Sequence, residues 1–122
     1  MNKEEFVARL EEIGWPKEEY IILSGGSLLM RGLREETADL DLTVTKRLAK
    51  EINLYDLPQD EKGYYTPHKN VQTMDDFDRF EFDVVDGYQC ETLESILEFK
   101  RRKMRPKDLK DIEKIEAVLK IK

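Results

Sequence analysis

Apolar residues along this chain recur at two spacings, and the switches between them mark the elements. Phe6, Leu10 and Ile13 fall three and four apart, which predicts a helix over residues 2–13, stopped by Gly14-Trp15-Pro16. The run Tyr20-Ile21-Ile22-Leu23 predicts a strand over 20–24. Leu29, Met30 and Leu33 then suit a short helix over 26–33 that packs on the sheet, and Arg34-Glu35-Glu36-Thr37 makes a polar turn. In a second strand, 38–45, Leu40 and Leu42 point inward between aspartates. Leu48, Ala49 and Ile52 mark the inner face of a helix over 46–53.

The pattern is weakest from Leu54 to Asp78, where Pro58, Gly63 and Pro67 interrupt it. Only 63–66 and 71–73 have strand character there. Alternation returns at 79–85, with Phe80, Phe82 and Val84 on one face and Glu81, Asp83 and Val85 on the other. Asp86-Gly87 predicts a tight turn, and Tyr88-Gln89-Cys90 a short returning strand. Thr92 caps a helix running to about Lys103, whose inner face is marked by Leu93, Ile96, Leu97 and Met104. Arg105-Pro106 breaks it, and a last helix over 107–120 carries the stripe Leu109, Ile112, Ile115 and Leu119. The expected fold is a single α/β (α+β) domain over residues 1–122, a mixed β-sheet flanked by helices with two helices at the C-terminal end.

Composition narrows the function classes. The 122 residues suffice for one core, and 39% apolar with 39% charged residues describe a globular protein with a heavily charged surface. A net charge of −6 argues against a molecule that binds nucleic acid by its overall field. The lone cysteine, Cys90, excludes an internal disulfide and fits a reducing compartment. No apolar run approaches membrane-spanning length, and Met1-Asn2-Lys3-Glu4-Glu5 has no signal-peptide core, so a cytoplasmic location without membrane contact is expected.

Chemistry concentrates at Ser24-Gly25-Gly26-Ser27 and, twelve residues past Ser27, at Asp39-Leu40-Asp41-Leu42. Adjacent glycines let backbone N–H groups approach an anion closely, and a helix that starts at once adds its positive end. Aspartates two apart on a strand share a face, where they can clamp a divalent cation. A phosphate cradle beside a metal clamp points to a nucleoside triphosphate.

This pattern resembles the nucleotidyltransferase superfamily, the DNA polymerase β-like fold, whose signature is a Gly-Gly or Gly-Ser pair, a spacer, then acid-apolar-acid. The chain looks most like its small stand-alone bacterial and archaeal members, related to antibiotic and toxin–antitoxin nucleotidyltransferases, over roughly Tyr20 to Asp111. The resemblance implies a third acid on a later strand, supplied within Phe80-Glu81-Phe82-Asp83-Val84-Val85. It implies that Asp39 and Asp41 hold a nucleotide-bound Mg²⁺ (or Mn²⁺), while Asp83 helps hold a second ion and draws the acceptor's proton. Glu81 shares the face of Asp83 and competes for that place, whereas Asp86 falls out of phase beside Gly87.

Gly25 and Gly26 would offer amides to the phosphates, with the Ser27 hydroxyl as a further donor; the alternative is a plain strand-to-helix turn. Arg31, one turn beyond Ser27, is either a phosphate contact or a surface charge. Lys100 falls on the apolar face of its helix, seven residues after Leu93, and must snorkel or find an anion. A triphosphate is one such anion. The segment from Lys100 to Asp111 also resembles a feature of several nucleotidyltransferase-like families, a helical lysine followed by Arg-x-Lys-Asp-x-x-Asp, here Arg105 to Asp111. It nominates Lys107 and Asp108 as nucleotide-binding residues, against the reading of a solvated basic face and acids at a helix start. His68 sits in a polar loop, Tyr64 and Tyr65 are candidates to stack on a base, and Trp15 reads as packing.

The resemblance thus implies transfer of a nucleoside monophosphate from an NTP, ATP included, to an acceptor hydroxyl, with pyrophosphate released. Small molecules, RNA ends and protein side chains all qualify as acceptors. A protomer this small would complete its pocket as a homodimer or with a partner subunit. The competing readings are an inactive nucleotide-binding or antitoxin-like module acting through a partner protein, and a plain interaction domain in which both motifs are coincidental.

Overall fold

The computed structural model describes residues 1–121. Its backbone is one six-stranded mixed sheet with helices packed on it. The strands are β1 (Tyr20–Ile22), β2 (Leu40–Val44), β3 (Tyr65–His68), β4 (Val71–Met74), β5 (Phe82–Val85) and β6 (Tyr88–Glu91). The helices are α1 (Lys3–Ile13), α2 (Ser24–Met30), α3 (Lys46–Glu51), α4 (Leu93–Lys103) and α5 (Leu109–Ile121). Across the sheet the strands run β3-β4-β2-β1-β6-β5. At the centre β1 is antiparallel to β2 and parallel to β6, and β2 is parallel to β4. No described helix is long and apolar enough to cross a membrane.

Local chemistry sets the boundaries. Asn2 and Glu5 form a reciprocal capping box at the start of α1, and Gly14, at φ 72°, ends that helix in the left-handed conformation. Thr45 and Thr92 cap α3 and α4 through their hydroxyls, each accepting from a backbone N–H three residues on. Asp86 and Gly87, both at positive φ, make the two-residue turn between β5 and β6.

Register decides which face each side chain takes. Ile22 pairs with Leu42 on one side and Cys90 on the other, and these residues lie in a core with Phe6, Leu10, Met30 and Leu48. Tyr20, Leu40, Val44 and Tyr88 share that face. Ile21, Asp41, Thr43, Gln72, Met74, Glu91, Phe82 and Val84 therefore lie on the opposite face. A second apolar cluster forms beside the sheet, where Leu28 of α2 meets Leu93, Ile96 and Leu97 of α4 and Ile112 and Ile115 of α5.

Four features differ from the sequence expectation. Helix α2 starts at Ser24 rather than 26, because the Glu91 carboxylate accepts the Ser24 N–H at 2.9 Å and ties the helix to the end of β6. The strand expected over 79–85 shortens to β5, since Phe77–Arg79 coils into a 3-10 turn. Met104 leaves the inner face of α4: at φ 45° it ends the helix and its side chain is exposed. Leu109 leaves the stripe of α5 and is exposed, while Asp108 and Asp111 turn inward to Lys100.

Candidate functional site

Strand β2 brings Leu40, Leu42 and Val44 into the core, so alternation forces Asp41 onto the opposite face, with Asp39 two residues before it. Both line a cleft of about 1120 Å³ that runs from the start of α2 to the break between α4 and α5. Asp41 Oδ1 is buried with no hydrogen-bond partner among the described residues. Burial, and then the charge of Asp39, push the Asp41 carboxyl up to about 6, against the pull of Lys62 and Arg34. A half-buried acid repelled by its neighbour, with one buried oxygen short of a donor, is an environment that a cation would relieve.

Around the pair, Gln72 of β4 stands in register with Asp41. Tyr64 lines the cleft, and burial, then the charges of Asp41, Asp60 and Glu91, raise its phenol above the ordinary range. Glu91, at the end of β6, is buried on the same sheet face as Asp41. Its carboxylate accepts the Ser24 N–H at 2.9 Å and the Ser95 hydroxyl at 2.6 Å. Burial is the larger influence on Glu91 and raises its pKa, while Ser95, Ser24 and Lys100 oppose it. Positive charge is supplied by Arg34, Lys62, Arg79, Lys103 and Lys107 along the rim.

The predicted phosphate cradle divides. Gly25 lines the cleft, and a Cβ added there would collide with an Arg34 guanidinium nitrogen. Gly26 faces the core instead: its added Cβ would meet Phe6 Cζ at 2.7 Å and Ile22 Cγ2 at 2.8 Å, and its N–H donates to the Leu23 carbonyl. Ser27 is fully buried; its hydroxyl donates to the Glu91 carbonyl at 2.7 Å and accepts from Arg31 Nε. Arg31 spans Ser27, the Glu91 carbonyl and Asp83 Oδ2, and lies off the cleft lining. Ser27, Gly26 and Arg31 thus build the junction of α2 and β6 rather than facing the cleft.

Asp83 does not join Asp39 and Asp41. It pairs with Cys90, so it takes the face of Leu42 rather than that of Asp41. It also stands on the outer strand, three strand spacings or about 14 Å across the sheet from β2. Glu81, by the same alternation, shares the face of Asp83.

Lys100 does find anions, and both are carboxylates of its own chain. It is 4% exposed, with Nζ 3.2 Å from Asp108 Oδ1 and 3.2 Å from Asp111 Oδ2. Arg105 Nε adds a 2.7 Å contact to Asp108, and Arg34 a 2.6 Å contact to Asp111. The Arg105 hydrogen bond, outweighing burial, lowers the Asp108 carboxyl to about 2. Lys107 remains exposed at the rim. Trp15 packs edge-on against Tyr20 at the core margin, near His68.

Glu91, Arg34 and Gln72 were not legible as site residues. The signal for Glu91 is the phase of Tyr88 and Cys90: if those face the core, Glu91 faces the cleft. Arg34 gave no signal within its polar turn, because its reach to Asp111 spans 77 residues.

Among the described residues no three His, Cys, Asp or Glu side chains assemble as a ready metal cage. Mg²⁺ does not need one: it is commonly held by one or two carboxylates, water and substrate phosphate. The Asp39/Asp41 pair, with its orphaned Oδ1, fits that ligand set. No protein-family model, no curated protein and no solved structure matches this chain.

Proposed function

We propose that the chain is a nucleotidyltransferase of the DNA polymerase β-like kind, dependent on Mg²⁺ or Mn²⁺, that moves a nucleoside monophosphate from an NTP to an acceptor hydroxyl. The observation that carries the reading is Asp41: an acid strained upward by burial and by Asp39, with an unpartnered oxygen, inside a cleft lined by lysines and arginines as well as acids. In this reading Asp39 and Asp41 hold the cation, which when bound neutralises triphosphate charge and lowers the pKa of the attacking hydroxyl. Arg34, Lys62 and Lys107 draw the triphosphate to the cleft, and Gly25 keeps space for it beside Arg34. Tyr64 and Phe80 offer flat apolar surface to the base. Lys100 and Asp108 line the same cleft and, through their ion pair, fix the break that carries Lys107 to the rim.

Titration calorimetry of each NTP with Mg²⁺ or Mn²⁺ tests this on wild type and on Asp39→Asn/Asp41→Asn. The expected result is metal-dependent binding that the double variant abolishes. Absence of binding to wild type would remove the reading.

One observation favours a second reading. The residue beside Asp41 on β4 is Gln72, an amide that cannot draw a proton from an acceptor. An inactive nucleotide-binding module, acting through a partner protein, would bind NTP and metal yet release no pyrophosphate with any acceptor. A pyrophosphate-release assay on protein already shown to bind separates the two.

A further inference from the structure

Strand β5 ends the sheet, and its backbone orientation follows from the hairpin it forms. Val85 pairs with Tyr88 across the two-residue turn, and the Thr92 N–H donates to the Glu81 carbonyl at 3.1 Å. Hydrogen-bonded and non-bonded pairs alternate in an antiparallel ladder, so Glu81, Asp83 and Val85 turn their backbone groups toward β6. Phe82 and Val84 turn theirs outward, to an edge where no described strand lies.

The side chains divide in the same way. Phe82 and Val84 stand on the cleft side of the sheet, 38% and 66% exposed, with the Phe77 ring 6.1 Å from that of Phe82. Phe80 continues the row and lines the cleft itself. The other side carries acid: exposed Glu81, with no ion pair among the described residues, and Asp83, half-exposed beside Arg31. Sheet edges are ordinarily blunted by charge, and these acids would repel a like-charged strand.

We propose that β5 accepts an extended segment of another protein in which apolar and basic residues alternate. Backbone pairing would satisfy the outward N–H and C=O groups of Phe82 and Val84. The segment's apolar residues would lie beside Phe82 and Val84, and its basic residues beside Glu81 and Asp83. Since β5 begins next to Phe80, such a segment leads to the mouth of the cleft. A second copy of the chain is the wrong occupant. A two-fold axis normal to the sheet keeps the faces in register. Centred on Phe82 or between Phe82 and Val84, it sets Asp83 against Glu81 or Asp83, and directly opposed like charges are destabilising. Centred on Val84, it runs Phe82 against the Asp86-Gly87 turn.

The test needs neither nucleotide nor metal, so its outcome is independent of the function proposed above. Amide hydrogen exchange of the full chain is followed by NMR with a synthetic peptide of alternating valine and lysine. Exchange at Phe82 and Val84 should slow on the order of tenfold or more at saturation. An alternating valine–glutamate peptide should have no effect. Glu81→Lys and Val84→Lys, both at exposed positions that leave the core intact, should each lose the protection. Unchanged exchange at Phe82 and Val84, equal protection by the glutamate peptide, or protection appearing without peptide as the protein dimerises would each overturn the proposal.

Discussion

Lys100 Nζ lies 3.2 Å from Asp108 Oδ1, a buried ion pair across the break between α4 and α5. Asp111 meets the same ammonium, so one lysine ties two helices. Removing the lysine takes away part of the charge compensation but not all of it, because Arg105 still meets Asp108 and Arg34 still meets Asp111. Lys100→Met should therefore destabilise the protein by about 1–3 kcal/mol in urea unfolding. A lysine that served only a nucleotide would leave unfolding unchanged and weaken NTP binding alone.

Asp41 makes stability depend on pH. Its carboxyl is raised to about 6 from an ordinary 3.8, first by burial and then by Asp39, so between these values the folded chain keeps a proton that the unfolded chain has lost. The favourable contribution is complete below about pH 3.8 and is lost as pH rises through about 6. Asp41→Asn should be more stable than wild type at pH 7, by roughly 1–3 kcal/mol, and the two should converge near pH 3.5. Mg²⁺ at pH 7 should raise the thermal midpoint of wild type and leave Asp41→Asn unmoved.

The two glycines should separate folding from binding. At Gly26 a methyl group would strike Phe6 and Ile22, so Gly26→Ala should cost about 1–3 kcal/mol of stability. At Gly25 the obstacle is the end of the Arg34 side chain, which can swing aside. Gly25→Ala should unfold close to wild type, and calorimetry should show weakened NTP binding.

Asp83 lies far from the carboxylate pair, and its exposed contact with Arg31 is worth about 0–1 kcal/mol. Asp83→Asn should leave metal-dependent NTP binding within about twofold of wild type, an effect no larger than a few tenths of a kcal/mol. Glu91→Ala should lower stability by about 1–3 kcal/mol, because the Ser24 N–H and Ser95 hydroxyl lose their acceptor. A tenfold loss of binding in Asp83→Asn would place it in the site after all.

What the sequence shows follows the range of each interaction. The limits of α1 and α3 are local, written in capping groups and apolar spacing, and so is the inward phase of Leu40 and Leu42. The face of Asp83 is not local, because it passes from strand to strand through Cys90, Ile22 and Leu42. Phe80, Phe82 and Val84 alternate as a half-buried strand should, yet at the sheet's end nothing described covers Phe82 and Val84 fully. Which glycine of the pair meets the cleft is decided by Phe6, from another helix. Lys100 stood out as a charge on an apolar stripe, but its partners were identifiable only once the chain had turned back at Met104. The two segments now joined by Glu91 and Ser24 are 67 residues apart, a distance over which spacing carries no signal.

Strand β1 is one of the sheet's two central strands and the first of the six in chain order. Its antiparallel neighbour β2 follows within about two dozen residues, but its parallel neighbour β6 is joined to it at Ile22 and Cys90, far later in synthesis. Until Glu91 has emerged, Ile22 has one neighbour instead of two, and Ser24 and Ser27 have no acceptors on β6. A nascent chain halted before β6 would present the open side of β1, made of Tyr20, Ile21 and Ile22, to whatever is nearby. Assembly of this sheet is therefore a race between translation and sticking, settled by the arrival of the stretch from Tyr88 to Glu91.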